Sequence, residues 1–348
     1  MEGYYKRCLI MNFTEKLQLA YKKIESAQNI LIIGHISPDA DAIASMGAIM
    51  EIAQRLKISF YAFADKKPEG AYDFINNEAF VFSIEPVDLK NYDLIIILDC
   101  GSIARTGIEK RLRNLINARQ NGRLISSPYI IEFDHHEKQE SYADLEIKEA
   151  DKAATTEIIY HFLIVNHLEI TKTLADCILI GLMTDTGHFL HANSSREALA
   201  IASEMLLYGA SLPKIINKTA HNKSFVSLKV WGRILERIKF NPDTGLATAA
   251  LLEEEIDELL TPAEKEANAD LFGEIVSFMS YLSKVRVALL LREEGGIVKG
   301  SLRSNDPEID VSLLAANWGG GGHKKAAGFA VRGRLKATKN GFKIIKQN

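Results

Sequence analysis

Apolar and polar positions in the first half of the chain alternate between short apolar runs and longer stretches with helical spacing. The apolar runs are strand-length and nearly continuous: NILIIG (29–34), SFYAFA (59–64), LIIIL (94–98) and YIIEF (129–133). Helices or helical turns are predicted over residues 41–56, 102–119, 153–167 and 174–184. Because the strands are apolar on both faces and separated by helices, we predict a mostly parallel sheet covered by helices.

The pattern changes around residues 196–240, which are long and helical and are interpreted as a linker. Shorter elements follow: strand 246–252, a helix through 262–282, strands 285–291 and 297–304, helix 309–317, and strands near 329–333 and 342–345. The sequence therefore predicts an α/β domain over 12–195, a helical linker over 196–236 and a smaller α/β domain over 237–345.

Composition narrows the class of protein. The 348 residues are 47% hydrophobic and 25% charged, as in an ordinary folded protein longer than one typical domain. No apolar run approaches the ~20 residues of a membrane span, and the first residues lack the apolar core of a secretion signal. Three widely spaced cysteines without a CxxC motif argue against a disulfide framework or structural zinc site and favour the cytoplasm. A net charge of −3 argues against binding of long duplex nucleic acid, but not of a small anionic substrate.

Four polar segments follow apolar segments of the first domain, at what we take to be strand ends: GHISPDAD (34–41), LDCG (98–101), FDHH (133–136) and MTDTG (183–187). The carboxyl ends of parallel strands meet at one edge of the sheet, so we expect the segments to converge on one cleft. They supply five carboxylates and three imidazoles, from His35, Asp39, Asp41, Asp99, Asp134, His135, His136 and Asp185.

This set of side chains predicts a metal centre. Carboxylates gathered at the edge of a core need cations or protons to balance them. Carboxylate and imidazole ligands without thiolate suit manganese, magnesium or iron, and six to eight ligands favour two ions that share an aspartate. Taken singly, Asp41 or Asp99 could instead be a helix N-cap.

The motifs HISPDADA, LDCG, DHH and MTDTG resemble, in content and order, those of the DHH phosphoesterase superfamily. GSLRS (300–304) and GGGGHKKAAGF (319–329) resemble the DHH-associated C-terminal domain of its NrnA-like branch, the bifunctional oligoribonucleases and pAp phosphatases. The resemblance implies two Mn²⁺ ions, or Mg²⁺ or another divalent ion, in an active site in the cleft between the two domains. It implies that one ion is held by His35 and Asp39, the other by Asp41, His135 and Asp185, and that Asp99 bridges both. Asp134 would orient an adjacent imidazole, and His136 would face the substrate phosphate.

The glycine run Gly319 to Gly322 predicts a second contact with substrate. Its backbone N–H groups can form an anion nest, strengthened by the positive end of a helix that we expect to start after it. A flexible turn is the alternative. The expected substrate-binding residues are His136, Arg303, Ser304, Gly320, Gly321, Gly322 and His323, and the expected catalytic residues are His136, Asp99, His323 and Arg303. The roles of His188 and His191 are left open.

The implied activity is hydrolysis of phosphoric esters. The expected substrates are short RNA oligonucleotides, degraded to mononucleotides, and 3′-phosphoadenosine 5′-phosphate (pAp). An alternative is a phosphodiesterase acting on cyclic di-AMP or its linear product pApA. A non-catalytic nucleotide sensor is an alternative from another class, but it should have lost metal ligands, and none of the implied ligands is missing. We expect no membrane association, and a homodimer is left open.

Overall fold

The computed structural model describes residues 11–64, 88–122, 127–191, 193–219, 225–267, 271–338 and 341–346. The chain divides into two compact units, Met1–Asn222 and Lys223–Asn348. The limits predicted above for two domains and a linker stay a prediction, and residues 220–224 of that linker lie outside the described residues. Within the described ranges, every helix is too short or too polar to cross a membrane.

The first unit is built on a five-stranded sheet. Its strands are β1 (Asn29–Ile33), β2 (Ser59–Phe63), β3 (Leu94–Leu98), β4 (Tyr129–Asp134) and β5 (Leu145–Lys148). They pair in parallel in the order β2-β1-β3-β4-β5, which confirms the predicted parallel sheet. The helices of this unit are α1 (Phe13–Glu25), α2 (Ala40–Arg55), α3 (Glu109–Gln120), α4 (Thr155–Val165), α5 (Lys172–Asp185), α6 (Arg196–Leu207) and α7 (Leu212–Thr219).

The sheet has a hydrophobic core on each face. Successive side chains of a strand point to opposite faces, so Ile30 and Ile32 pack into one core while Leu31 and Ile33 pack into the other. The first core includes buried residues of α1, α2, α4 and α5, and the second those of α3. Burial on both faces explains why β3 is apolar at every position and β1 is apolar after Asn29.

Three details of the first unit differ from the sequence analysis. The helix expected over 102–119 is a 3-10 turn at Ile103–Thr106 followed by α3, because Gly107 between them has a left-handed φ of 75°. Of the four polar segments expected at strand ends, MTDTG instead closes helix α5, which ends at Asp185. The strand β5 was not predicted, because its short sequence LEIK carries only two apolar residues.

The second unit contains a seven-stranded mixed sheet in the order β10-β11-β9-β8-β7-β6, with β12 paired to β11. Its strands are β6 (Lys239–Asn241), β7 (Leu246–Leu251), β8 (Val287–Glu294), β9 (Ile297–Arg303), β10 (Gly321–His323), β11 (Ala326–Thr338) and β12 (Gly341–Lys346). Its helices are α8 (Phe225–Glu236), α9 (Glu253–Leu259), α10 (Pro262–Ala267), α11 (Leu271–Ser280) and α12 (Val311–Ala316). Of the helix expected through 262–282, Pro262–Ala267 and Leu271–Ser280 are helical, and residues 268–270 lie outside the described residues.

Candidate metal centre and active site

The predicted ligands lie at the ends of β1, β3, β4 and α5. His35 follows β1, and Asp39 is the N-cap of α2, where its carboxylate accepts a hydrogen bond from the Ala42 N–H at 3.1 Å. Asp99 follows β3 with a φ of 58°, a left-handed conformation that aspartate adopts more readily than most residues. Such backbone strain is common at functional sites. Asp134 ends β4, and the two histidines of the DHH motif come directly after it.

Six of these side chains form two groups, and Asp99 of the first group also lies near His135 of the second. In the first, His35 Nε2 lies 3.5 Å from Asp39 Oδ2 and 3.9 Å from Asp99 Oδ2. In the second, His135 Nε2 lies 3.0 Å from Asp185 Oδ2 and 3.5 Å from Asp99 Oδ1. One ligand atom from each of His35, Asp39 and Asp99 fits within 4.8 Å of the others, as does one from each of Asp41, His135 and Asp185. The fold therefore brings together all six residues to which the sequence assigned metal ligation.

The imidazoles of His35 and His135 are oriented by backbone carbonyls. His35 Nδ1 lies 2.8 Å from the Ile36 carbonyl oxygen, and His135 Nδ1 lies 3.3 Å from that of Lys152. A carbonyl only accepts, so Nδ1 carries a proton in both rings, and in the neutral ring the lone pair belongs to Nε2. In both cases Nε2 is the atom that faces the carboxylates, which is the arrangement of a metal-ligating histidine.

The buried carboxylates carry charge that the protein alone balances poorly. Asp41 and Asp99 are 0% and 1% exposed, and neither pairs with a lysine or arginine of the described chain. Burial, together with the charge of Asp185, raises the pKa of Asp41 to about 7, and burial and the neighbouring Asp41 raise the pKa of Asp99. Burial would also raise the pKa of Asp39, but its hydrogen bond to His35 and the His35 charge outweigh it and lower the pKa to about 2.

These observations fit a pair of divalent cations. The donor set is carboxylate oxygen and imidazole nitrogen, both histidines have Nδ1 against a backbone carbonyl, and Asp99 lies near the histidine of each group. Cations would also balance the buried charge that raises the carboxyl pKa values. A further group of candidate ligands, Glu157, His161 and Glu197, fits less well. There, the Lys152 ammonium already lies 2.7 Å from Glu197 and 3.4 Å from Glu157.

The second histidine of the motif is held by the aspartate before it. Asp134 is buried, and its Oδ1 lies 2.7 Å from His136 Nδ1 and 2.9 Å from the His136 N–H. Its other oxygen accepts a 2.6 Å hydrogen bond from the Gly101 N–H. The carboxylate thus fixes the orientation of the His136 ring.

Sequence reasoning missed the residues that hold Asp41. Thr155 and Thr156, at the start of α4, donate hydrogen bonds to its carboxylate. Gly181 on α5 leaves the space for it, because a Cβ there would lie 2.1 Å from Asp41 Oδ1. Two hydroxyl residues at the start of the predicted helix 153–167 were the available signal, and nothing in the sequence pointed to Gly181.

The two histidines whose roles were open lie in the turn after α5. His188 has a left-handed φ of 58°, and His191 Nδ1 lies 3.3 Å from the Asp185 carbonyl oxygen. The amide of Asn193 also donates to that carbonyl, at 3.2 Å. Both His191 and Asn193 therefore help to place the backbone that carries Asp185.

The candidate substrate-binding residues of the second unit lie on β9, β10 and the turn before β10. Arg303 ends β9, and its Nη1 donates to the Leu302 carbonyl at 2.9 Å. Ser304 is 1% exposed, and its hydroxyl donates to the Arg286 carbonyl at 2.6 Å, so this group is engaged inside the fold. Gly320 precedes β10, and Gly321, Gly322 and His323 form that strand and are exposed.

The surroundings of the glycine run correct one expectation. Gly319 and Gly322 do have positive φ values, 74° and 141°. The run nevertheless leads into strand β10 and then β11, and the expected helix start after it is absent from the described residues. Small residues are needed here because β10 pairs closely with β11: a Cβ on Gly320 would lie 2.1 Å from the Gly328 carbonyl oxygen.

Comparison with protein families identifies this architecture. The model of the DHH family N-terminal domain matches residues 29–182, and that of the DHHA1 domain matches residues 247–347. The chain therefore contains a DHH phosphoesterase domain followed by a DHHA1 domain. As such it is a hydrolase of phosphoric esters, in a family that depends on divalent metal ions.

The DHH-family relatives of this chain align over most of its length. A bifunctional oligoribonuclease and PAP phosphatase NrnA from Thermus thermophilus is 28% identical over 92% of this chain and 90% of the relative. The protein of the same name from Bacillus subtilis is 23% identical over 89% and 91%. Among solved structures, an exopolyphosphatase-related protein from Bacteroides fragilis has a TM-score of 0.74 at 25% identity and 90% coverage of both chains.

Proposed function

We propose that this DHH phosphoesterase degrades short RNA oligonucleotides to mononucleotides and also converts pAp to AMP, with two Mn²⁺ ions. The observation that carries the proposal is the pair of ligand groups joined at Asp99, beside a His136 ring fixed by Asp134. The substrate class is supported by the relatives named bifunctional oligoribonuclease and PAP phosphatase, which align with both units of the chain.

In this proposal His35 and Asp39 hold one ion, Asp41, His135 and Asp185 hold the other, and Asp99 contacts both. Two divalent ions in such a site lower the pKa of water and neutralise charge on the phosphoryl oxygens. Asp134 holds the His136 ring in one orientation through Nδ1, and when the ring is protonated at both nitrogens its Nε2–H would donate a hydrogen bond to a non-bridging oxygen of the phosphate.

The second unit would hold the nucleotide. We assign this role to Arg303 and His323 and to the backbone of Gly320, Gly321 and Gly322, as the DHHA1 resemblance implies. An arginine fork matches phosphate geometry, and exposed glycine N–H groups can approach an anion closely. Ser304 would act by placing Arg303, since its own hydroxyl is engaged with Arg286. The cytoplasmic location stays a prediction.

A panel of substrates tests the proposal. Purified protein with Mn²⁺ is assayed by kcat/KM on pAp, pApA, cyclic di-AMP and RNAs of two to ten nucleotides. We expect the short RNAs and pAp to be the best substrates. Preference for cyclic di-AMP or pApA would overturn the substrate assignment, and tight nucleotide binding without turnover would favour a sensor.

A matched pair of variants tests the site. Asp99→Ala should abolish turnover while circular dichroism stays unchanged, whereas Asp257→Ala, on the exposed side of α9, should keep the wild-type rate. Retention of the wild-type rate by Asp99→Ala would contradict the bridging role. His323→Ala or Arg303→Ala should mainly raise KM for nucleotides.

A further inference from the structure

One arginine of the first unit lies next to the metal centre and has no role in the assignment above. Arg105 belongs to the 3-10 turn that follows Asp99 and Gly101. Its backbone carbonyl accepts a 2.7 Å hydrogen bond from the Ile36 N–H, in the loop that carries His35. The turn is thereby tied to the first polar segment, and Arg105 has a defined position beside the ligands.

The guanidinium of Arg105 and the ring of His136 flank the same space. A Cβ built on Gly101 would lie 3.7 Å from Arg105 Nη1 and 3.5 Å from His136 Cγ. Gly101 has a left-handed φ of 69°, so both its conformation and its surroundings favour glycine. The two side chains are thus close enough for one phosphoryl group to reach both by hydrogen bonds.

The donors of this guanidinium are not used by the fold. Arg105 is half-buried, yet within the described part of the chain its side chain forms no hydrogen bond or ion pair. Its charge acts on the site all the same, since it contributes to lowering the pKa of Asp39. An arginine that only supports a fold normally pairs with a carboxylate or carbonyl.

We propose that Arg105 binds the phosphoryl group that is hydrolysed, in an anion subsite that it forms with His136 across Gly101. The planar fork of the guanidinium fits two non-bridging phosphate oxygens, and its positive charge stabilises the negative charge that grows on them. The proposal rests on the proposed phosphoester hydrolysis, but it does not depend on which nucleotide is the substrate. It gives the first unit its own phosphate contact, in addition to any contact from Arg303.

The test uses Arg105→Met, which keeps the apolar length of the side chain, Arg105→Lys, and the control Arg196→Met at the exposed start of α6. Turnover is measured on short RNA and on the generic diester bis(4-nitrophenyl) phosphate. Calorimetry measures binding of inorganic phosphate and of Mn²⁺ to each protein. We expect Arg105→Met to lower kcat/KM by about 100-fold and phosphate affinity by at least about tenfold, with partial recovery in Arg105→Lys. Arg196→Met should match the wild type.

Mn²⁺ binding separates a phosphate contact from a structural role. Loss of the Arg105 charge beside Asp39 should leave Mn²⁺ affinity unchanged or increase it. Weakened Mn²⁺ binding in Arg105→Met would instead mean that Arg105 supports the fold of the centre, and would overturn the proposal. So would phosphate binding within about twofold of the wild type. If wild-type protein cleaves neither RNA nor pAp, while Arg105→Met still loses phosphate affinity, the substrate assignment fails and the subsite stands.

Discussion

Asp41 Oδ2 accepts a 2.6 Å hydrogen bond from the backbone N–H of Thr155, the first residue of α4. Asp41 Oδ1 accepts two more, from the N–H of Thr156 at 3.1 Å and from its hydroxyl at 2.8 Å. The residue at the N-cap position of α4 is Ala154, which has no side-chain acceptor, so a carboxylate from α2 caps this helix instead. A candidate metal ligand therefore also joins two helices of the first unit.

Gly181→Ala tests how tightly this carboxylate is enclosed. The new Cβ would lie 2.1 Å from Asp41 Oδ1 and 2.2 Å from Thr156 Oγ1, so Asp41 has to move. We expect a loss of about 1–3 kcal/mol in the free energy of unfolding, despite the better helix propensity of alanine. We also expect Mn²⁺ affinity to fall at least about tenfold, because a displaced ligand loses its geometry. Urea unfolding and calorimetry measure the two effects.

The control is a second helical glycine, Gly232 on α8, where a Cβ meets nothing within 4 Å. Gly232→Ala should stabilise the protein by about 0.5–1 kcal/mol, because it lowers the entropy of the unfolded chain without a clash. An equal increase in the free energy of unfolding for Gly181→Ala and Gly232→Ala would contradict the close packing around Asp41.

The strands of the first unit were predictable because their signal is local. Each of β1 and β3 buries both faces, so every position except Asn29 is apolar and the strand limits can be read from the chain. The ligand segments that follow β1, β3 and β4 were predictable for a related reason: parallel strand ends meet at one edge wherever the strands lie in the sheet. That reason does not cover Asp185, which ends helix α5.

Contacts between distant segments were not predictable. Thr155 contacts Asp41, and Arg105 contacts the loop of His35, only after the helices and turns are packed. The periodicity of apolar residues in the sequence does not indicate such contacts. The glycine run shows the converse case. Its composition suited an anion nest before a helix, but close pairing of β10 with β11 is what requires small residues there.

Metal binding should reverse the effect of Asp99 on stability. Without cations, the buried Asp99 carboxylate lies near Asp41 and Asp39, and burial and these charges raise its pKa. Asp99→Asn should therefore raise the Tm of metal-free protein, because it removes a charge that burial disfavours. The same change should abolish most of the gain in Tm on adding Mn²⁺, which for the wild type corresponds to about 2.7 kcal/mol at 100 times the Kd. Thermal unfolding with EDTA measures the change in Tm of the metal-free protein, and thermal unfolding with Mn²⁺ measures the gain in Tm on metal binding. Asp257→Asn serves as control. A metal-free Asp99→Asn protein that melts below the wild type would show that the carboxylate supports the fold by itself.

The hydrogen bond between Asp134 and His136 should affect kcat more than metal binding. Asp134→Asn retains the shape but leaves one acceptor oxygen where the carboxylate has two. If that oxygen accepts from the Gly101 N–H, the amide NH₂ group faces His136 Nδ1–H, so the orientation of the His136 ring is lost. We expect kcat to fall about 10–100-fold with Mn²⁺ affinity retained. If Asp134 acts through His136, the double variant Asp134→Asn/His136→Ala should be no slower than His136→Ala. Additive losses would assign Asp134 a separate role.

Strand β4 also buries a carboxylate that is not a candidate ligand. Glu132 is 0% exposed, accepts a 2.5 Å hydrogen bond from the Tyr142 hydroxyl, and lies 3.0 Å from the ammonium of Lys148 on β5. The same ammonium lies 3.7 Å from Asp134 Oδ2. Burial raises the pKa of Glu132 from 4.5 to about 7, although the charge of Lys148 and the Tyr142 hydrogen bond act in the opposite direction.

Lys148→Met should therefore destabilise the protein more as the pH rises. Because the folded-state pKa of Glu132 is raised, its contribution to stability is present below the unfolded pKa of 4.5 and is lost as the pH rises through about 7. Removing Lys148 raises that pKa further and extends the loss to higher pH, since Glu132 is then ionised and buried without its cation. We expect the free energy of unfolding to differ little from wild type near pH 5 and to be lower by about 3–5 kcal/mol near pH 9, measured by urea unfolding.

The double variant Glu132→Gln/Lys148→Met is the control. It should recover much of the lost stability near pH 9, because the unpaired charge is gone. A deficit that is equal at both pH values would mean that Lys148 stabilises the sheet through packing and through its contact with Asp134, and not through the charge of Glu132.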